Sequence, residues 1–231
     1  IGYHNHVKKT RATLENGSES PYPNQNFIRL KKILKDYKDE EEPNVGVTSA
    51  SGIVIRSLDD KLSALTAAHW CNPTDYYETI PQEMLENEQI PVTKYYAEFL
   101  GVEYEIELVA IDEMEDLCLV KFNSEFAHKA KNIDVAKKYP KIGEEIYTQS
   151  APLGIHESTL RHNFQGYYSG CSYLTCSFTI PATFGSSGSP IINKKGEIVS
   201  IISSAVIDFP HIANGPSLNA VREFVGYHIN E

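Results

Sequence analysis

A chain of 231 residues has room for one large domain or two small ones sharing a core, and it can bury roughly 70% of its unfolded surface without staples. Its net charge of -10 runs against a general nucleic-acid binder, which is basic. No apolar run approaches the length of a membrane-spanning helix, and the start at Ile1 with no hydrophobic signal core reads as a processed product.

Residues 1–44 differ from the rest and read as an N-terminal extension. In "FIRLKKILKDYKDEEEP", Phe27, Leu30, Ile33, Leu34 and Tyr37 recur at helical spacing, which predicts a packed amphipathic helix with a solvated charged face. His4 and His6 lie in a terminal segment, where two histidines carry little metal signal. Asn16 opens a glycosylation triplet of a kind common by chance.

From Val45 onward strands dominate. "NVGVTSASGIVIRSLDDKLSALTAAHW" holds two β-rich runs around the turn "LDDK". The long acidic stretch "NPTDYYETIPQEMLENEQIPVTKYY" reads as surface decoration in preference to a loop over a cleft. "YYAEFLGVEYEIELVAID" alternates over a long span, with Val102, Tyr104, Ile106 and Leu108 on one face. "DLCLVKF" reads as a short buried strand, with Cys118 a buried thiol. Polar residues from 124 to 142 separate this group from a second series of strands, in which "NKKGE" turns a hairpin between two apolar runs. "SLNAVREFVGYHI" predicts a closing helix with Ser217 as N-cap and Val221, Phe224 and Val225 on one face.

Of the four cysteines, Cys171 and Cys176 flank "SYLT" and could face each other across a hairpin; spacing alone leaves open whether they are bridged. Zinc is disfavoured, because there is no second close pair of ligands. The inventory predicts an all-β fold: two packed six-stranded antiparallel barrels, about 45–130 and 136–216, with a C-terminal helix at 217–229 and a helical extension before them.

Three local patterns then occur in one order. "LTAAHW" places His69 after an apolar strand, "MEDLCLVKF" opens a buried strand with Asp116, and "FGSSGSP" sets Ser187 among glycines. Taken singly they read as a structural histidine, a strand-end carboxylate and a turn serine. Together they resemble the three signatures of the trypsin-like serine proteases, over roughly residues 45–231. A serine hydroxyl is a poor nucleophile until a base takes its proton. The resemblance makes His69 that base, Asp116 the group that orients it, and the N–H groups of Gly185 and Ser187 an oxyanion hole, each donor of which is worth about 3–4 kcal/mol of barrier. Gly188 leaves room beside the nucleophile.

"IGEEIYTQSAPLG", "GYYSG" and "GSSGSPIINKKGEIVSI" look like the HtrA-like branch and its bacterial and viral relatives. There are departures. Ser186 stands where animal digestive trypsins carry an aspartate that pairs with a freed N-terminus, so that switch cannot operate here. Ser189 replaces a second glycine. HtrA-like chains carry an appended peptide-binding PDZ domain, and the expectation here is a protease domain without one. By the resemblance, a polypeptide substrate lies against Ile202, Ser203 and Ser204, and Pro181, Ala182 and Thr183 wall its P1 pocket. Neither segment carries an aspartate or a histidine, which predicts small or medium apolar P1 side chains. No cofactor or metal is called for, and the resemblance leans toward a location outside the cytoplasm. Two rivals stay in view: a binding module that kept the fold and lost turnover, and a metal hydrolase using His4, His6 or His162.

Overall fold

The computed structural model describes residues 22, 26–35, 45–56, 62–72, 92–123, 130–131, 133–157, 160–173, 175–206 and 208–229. His4, His6, Asn16, the "LDDK" turn and most of the acidic stretch after His69 lie outside the described residues.

Six strands close a barrel in the order β1-β2-β3-β6-β5-β4: β1 (Phe27–Lys35), β2 (Val45–Arg56), β3 (Leu62–Thr66), β4 (Val92–Phe99), β5 (Val102–Asp112) and β6 (Leu117–Phe122). Among the described residues, 27–35 do not form the expected N-terminal helix. Residues 27–35 form β1, antiparallel to β2 (Leu30 opposite Ala50) and to β4 (Leu30 opposite Ala97), and this strand closes the barrel. The residues that decide are Ile28, Leu30 and Lys32, buried at period two, where the helical reading had grouped Phe27, Leu30 and Ile33. Leu, Lys and Arg favour a helix locally, but two ladders of partner strands override that weak preference.

The long alternating run is two strands, not one. It folds back at Leu100 (φ 52°) and Gly101 (φ 83°), the two left-handed residues of a tight hairpin turn. Ile106 is buried and Tyr104 and Leu108 pack partly against the barrel core, while Val102 at the turn is exposed.

The second group of strands forms a seven-stranded sheet, β11-β10-β7-β8-β9-β13-β12, in place of the expected six-stranded barrel. Its strands are β7 (Glu145–Ser150), β8 (His162–Cys171), β9 (Cys176–Thr179), β10 (Pro190–Ile192), β11 (Ile198–Ile201), β12 (Ser204–Ala205) and β13 (Ala213–Gly215). The sheet stays open for two reasons. β12 is only two residues long, and the outer edge of β11 is taken by the 134–136 segment, through Ile198 N–H to Asp134 O (2.8 Å) and Ala136 N–H to Ile198 O (2.8 Å). The β10–β11 hairpin turns as expected, on Asn193 N–H to Glu197 O at 3.0 Å.

The C-terminal helix α2 spans Leu218–Ile229, and Ser217 Oγ accepts the Ala220 N–H at 3.1 Å as its N-cap. Val221 and Phe224 join a buried layer of Ile53, Ile55, Leu65, Leu117 and Leu119 from the barrel and Ile192, Ile198 and Ile201 from the sheet. That layer joins the two halves, each such side chain contributing about 1.5–3 kcal/mol on burial. Among the described residues no helix is long and apolar enough to cross a membrane.

Candidate active site

His69 stands on a four-residue helix, α1 (Ala68–Cys71), that follows β3 directly. Its carbonyl end is anchored from two sides. Lys32, buried in the barrel, donates to Trp70 O (3.0 Å) and Asn72 O (3.3 Å), and Tyr95 Oη donates to Cys71 O (2.9 Å). The imidazole is thus held by its backbone while its side chain remains 44% exposed.

Asp116 ends the turn before β6 in the left-handed region (φ 54°), a conformation Asp tolerates better than most residues. The strain sets the carboxylate over the start of α1. Oδ1 accepts the His69 backbone N–H (2.8 Å), and Nδ1 of the ring lies 3.0 Å from Oδ1 and 2.9 Å from Oδ2. An ionised carboxylate only accepts, so Nδ1 carries the ring proton and Nε2 presents its lone pair. That lone pair faces Ser187 Oγ at 2.8 Å. The structure therefore brings His69, Asp116 and Ser187 into one chain of hydrogen bonds, although 47 and 118 residues separate the partners in sequence.

A disulfide braces the first pair. Cys71 and Cys118 are bridged, with Cα atoms 6.5 Å apart, so Cys118 is not the buried thiol expected of it. Each cysteine sits two residues after a member of the site, Cys71 after His69 and Cys118 after Asp116, and this shared offset was the signal available in the sequence. Cys171 and Cys176, directly opposed across β8 and β9, are bridged as well.

Ser187 lies in the loop between β9 and β10. Gly185 (φ 84°) and Gly188 (φ 77°) both take backbone that side chains disfavour. Neither has space for one: a Cβ at Gly185 would run into Ala151 O, and one at Gly188 into Thr66 Oγ1 and Ser51 O. Phe184 C=O accepts from Leu153 N–H (2.6 Å) and Ser186 C=O from Ser189 N–H (3.0 Å). In a trans peptide the N–H points opposite the C=O, so the N–H groups of Gly185 and Ser187 are turned away from these contacts. Among the described residues neither N–H has a protein acceptor.

Residues 50–201, which include all three of these side chains, match the trypsin-like peptidase domain family. The chain belongs to that family. Among solved structures, the serine endoprotease from Yersinia pestis shares the fold with a TM-score of 0.64 at 16% identity, over 90% of this chain and 64% of that one. The Rv3671c protease from M. tuberculosis, in its active form, does so with a TM-score of 0.61 at 13% identity, over 90% of this chain and 82% of that one. This chain thus spans under two thirds of the Yersinia protein, and at these identities the likeness is one of fold. No curated protein sequence matches it.

In this member of the trypsin-like peptidase domain family the other candidate residues are placed as follows. Ala182 is buried and donates its N–H to Pro210 O (2.9 Å), while Pro181 and Thr183 beside it are partly or fully exposed. Ile202 is committed within the protein, pairing with Ser189 O (2.9 Å) and Gly188 N–H (2.7 Å). Ser203 N–H bonds Asn214 O (2.8 Å), and Ser204 begins β12, whose outer edge is the edge of the sheet. His162 stacks on Phe164, and no group of three His, Cys, Asp or Glu side chains among the described residues is placed to hold a metal.

A bracket that sequence reasoning missed supports the 151–157 segment behind the loop. Arg29 pairs with Glu98 (2.7 Å) and donates to Gly154 O (3.2 Å), and His156 Nδ1 lies 3.4 Å from Glu98. Burial holds the His156 imidazole below its ordinary range; the Arg29 and Arg161 charges add to that, and Glu98 opposes it.

Proposed function

We propose that the chain is a serine endopeptidase that works through an acyl-enzyme. Ser187 Oγ attacks the peptide carbonyl while its proton passes to His69 Nε2; Asp116 holds the imidazolium that forms. The N–H groups of Gly185 and Ser187 bind the oxyanion. His69 then returns the proton to the leaving amine, and water repeats the sequence to release the acid and free Ser187. The observation that carries this reading is the unbroken hydrogen-bond chain from Asp116 through His69 to Ser187.

The substrate is read as an extended polypeptide laid along the β12 edge with its P1 side chain toward Pro181–Thr183. The flanking segments 181–183, 202–205 and 213–215 carry no charged side chain, which supports small or medium apolar P1 residues. Two bridged cysteine pairs suit an oxidising compartment.

The test is labelling with a fluorophosphonate probe together with peptide-library cleavage. Wild-type protein labels and cleaves; Ser187→Ala does neither, with kcat lower by about 10⁶-fold. Equal labelling of the variant, or an inert wild type, overturns the reading and favours a binding module built on the same fold.

A further inference from the structure

We infer that Ser51 is a positioning residue: its buried hydroxyl, reaching across from the barrel, keeps the Gly185–Ser187 loop in the conformation that receives the oxyanion. This rests on the serine-protease reading above. Ser51 lies on β2, has 0% of its surface exposed, and bonds the loop at two points. Its backbone N–H donates to Ser187 O (2.8 Å) and its Oγ donates to Gly185 O (2.9 Å). Its carbonyl accepts from Thr66 Oγ1 (2.8 Å), which ties the same residue to the strand leading into His69.

The sense of the hydroxyl bond is determined. Ala151 N–H donates to Ser51 Oγ (3.0 Å), and a hydroxyl has one proton, so that proton goes to Gly185 O. A relay results, Ala151 N–H to Ser51 Oγ–H to Gly185 C=O. Beside it, Leu153 N–H holds Phe184 C=O (2.6 Å). Of the two peptide planes flanking Gly185, the first is held through Phe184 C=O by Leu153 N–H; the second is held through Gly185 C=O by Ser51 Oγ–H and through Ser186 N–H by Thr183 O (2.9 Å). Gly185 rotates cheaply, and the Gly185–Ser186 plane lies between the two planes that carry the Gly185 and Ser187 N–H groups, so releasing its carbonyl loosens both donors.

Charge has no part in this arrangement. Ser186, in the place where trypsins use an aspartate, is 1% exposed; its Oγ meets Ser150 Oγ (2.9 Å) and accepts from Thr183 N–H (3.2 Å). Ser186 thus stabilises the loop from within the sheet, and Ser51 draws it toward the barrel. The barrel therefore contributes His69, Asp116 and also the anchor of the oxyanion loop.

The test uses the full chain with Ser51→Ala, Ser51→Cys and Ser51→Thr, each checked for folding by circular dichroism and thermal melting. In Ser51→Ala, kcat on a fluorogenic peptide falls about 100-fold, the scale of one lost oxyanion donor, with KM little changed. Affinity for a peptide aldehyde, whose hemiacetal oxygen needs the same two N–H groups, falls in parallel with kcat. Ser51→Thr, which keeps the hydroxyl, recovers both. Ser51→Cys, similar in size and a weak donor, behaves like Ser51→Ala and carries the test if the alanine variant does not fold. Wild-type kcat in folded Ser51→Ala or Ser51→Cys overturns the inference, as does aldehyde affinity that stays at the wild-type level while kcat falls. An inert, unlabelled wild type is a different result: it removes the serine-protease reading, and this inference with it.

Discussion

The two halves of the site are held by different kinds of bond. His69 and Asp116 both belong to the barrel, on segments joined by the Cys71–Cys118 bridge and by the β3–β6 ladder, which sets Thr66 opposite Cys118. Ser187 sits on a loop of the open sheet and has neither a disulfide nor a ladder of its own. Its conformation depends on two glycines with left-handed backbone and on scattered hydrogen bonds: two from Ser51, one each from Leu153 and Ser150, and the pairing of Gly188 and Ser189 with Ile202. The His69–Asp116 half is braced covalently and by strand register, whereas the Ser187 half is braced by buried dipoles. The first tolerates loss of any one contact better than the second, because a cross-link and a ladder back each other up, whereas each buried hydrogen bond of the loop holds a different peptide group.

The largest effect that separates the halves comes from Asp116→Asn. The amide keeps the shape, and its oxygen can still accept the His69 backbone N–H. Its NH2 then faces Nδ1, which must accept, so the ring proton moves to Nε2 and no lone pair faces Ser187. We expect kcat to fall about 10⁴-fold with the fold intact, measured as peptide turnover beside an unchanged melting temperature. A loss of under tenfold would mean that His69 does not depend on this carboxylate for its tautomer.

Next comes the covalent brace. Cys71 and Cys118 close a loop of 47 residues, worth about 4 kcal/mol in the chain-entropy account, against about 2 kcal/mol for the five-residue loop between Cys171 and Cys176. In a chain of this size 1 kcal/mol moves the melting temperature by about 2–4 °C. Replacing Cys71 and Cys118 by alanine should therefore lower the melting temperature by about 8–16 °C, roughly twice the effect of removing the second bridge. Turnover at 25 °C should change little, since the β3–β6 register still aligns His69 with Asp116. If turnover collapses in a variant that is folded at that temperature, the ladder is not a sufficient brace.

The same contrast explains what was legible in the sequence. His69, Asp116 and Ser187 each sit in a short motif whose flanking strand or glycines are written beside them, and the structure brings all three together. The β10–β11 hairpin and the Ser217-capped helix were legible for the same reason: turn and cap chemistry is local. β1 was not, because Leu30 and Ile33 suit a helix until two partner strands more than ten residues away claim the backbone. Nor was the open second sheet, which depends on β12 being too short to meet β11. Ser51 was hidden for a related reason. In "SASGIVI" it is one small residue in a strand, and its importance arises from Ala151 and Gly185, 100 and 134 residues away.

The smallest effect concerns pH and tests the bracket behind the Ser187 loop. His156 packs beside Phe27, between Glu98 of β4 and Arg29 of β1, with Arg161 from the segment entering β8 also acting on it. Burial holds it neutral in the folded protein further into acid than in the unfolded chain, where histidine titrates near 6.5. Just below that pH the unfolded chain binds the extra proton and the folded one does not. Stability therefore declines as pH falls from about 6.5 toward the lowered folded value, and the contribution is intact above 6.5. Replacing His156 by Gln should flatten this part of the melting-temperature profile between pH 7.5 and 5.5, by less than about 4 °C given the partial exposure of the site. The 151–157 segment carries Leu153, which holds Phe184 C=O, so peptide turnover of the wild type should decline over the same pH interval more steeply than that of His156→Gln. A profile unchanged by the substitution would place the acid sensitivity of the Ser187 half elsewhere than in this bracket.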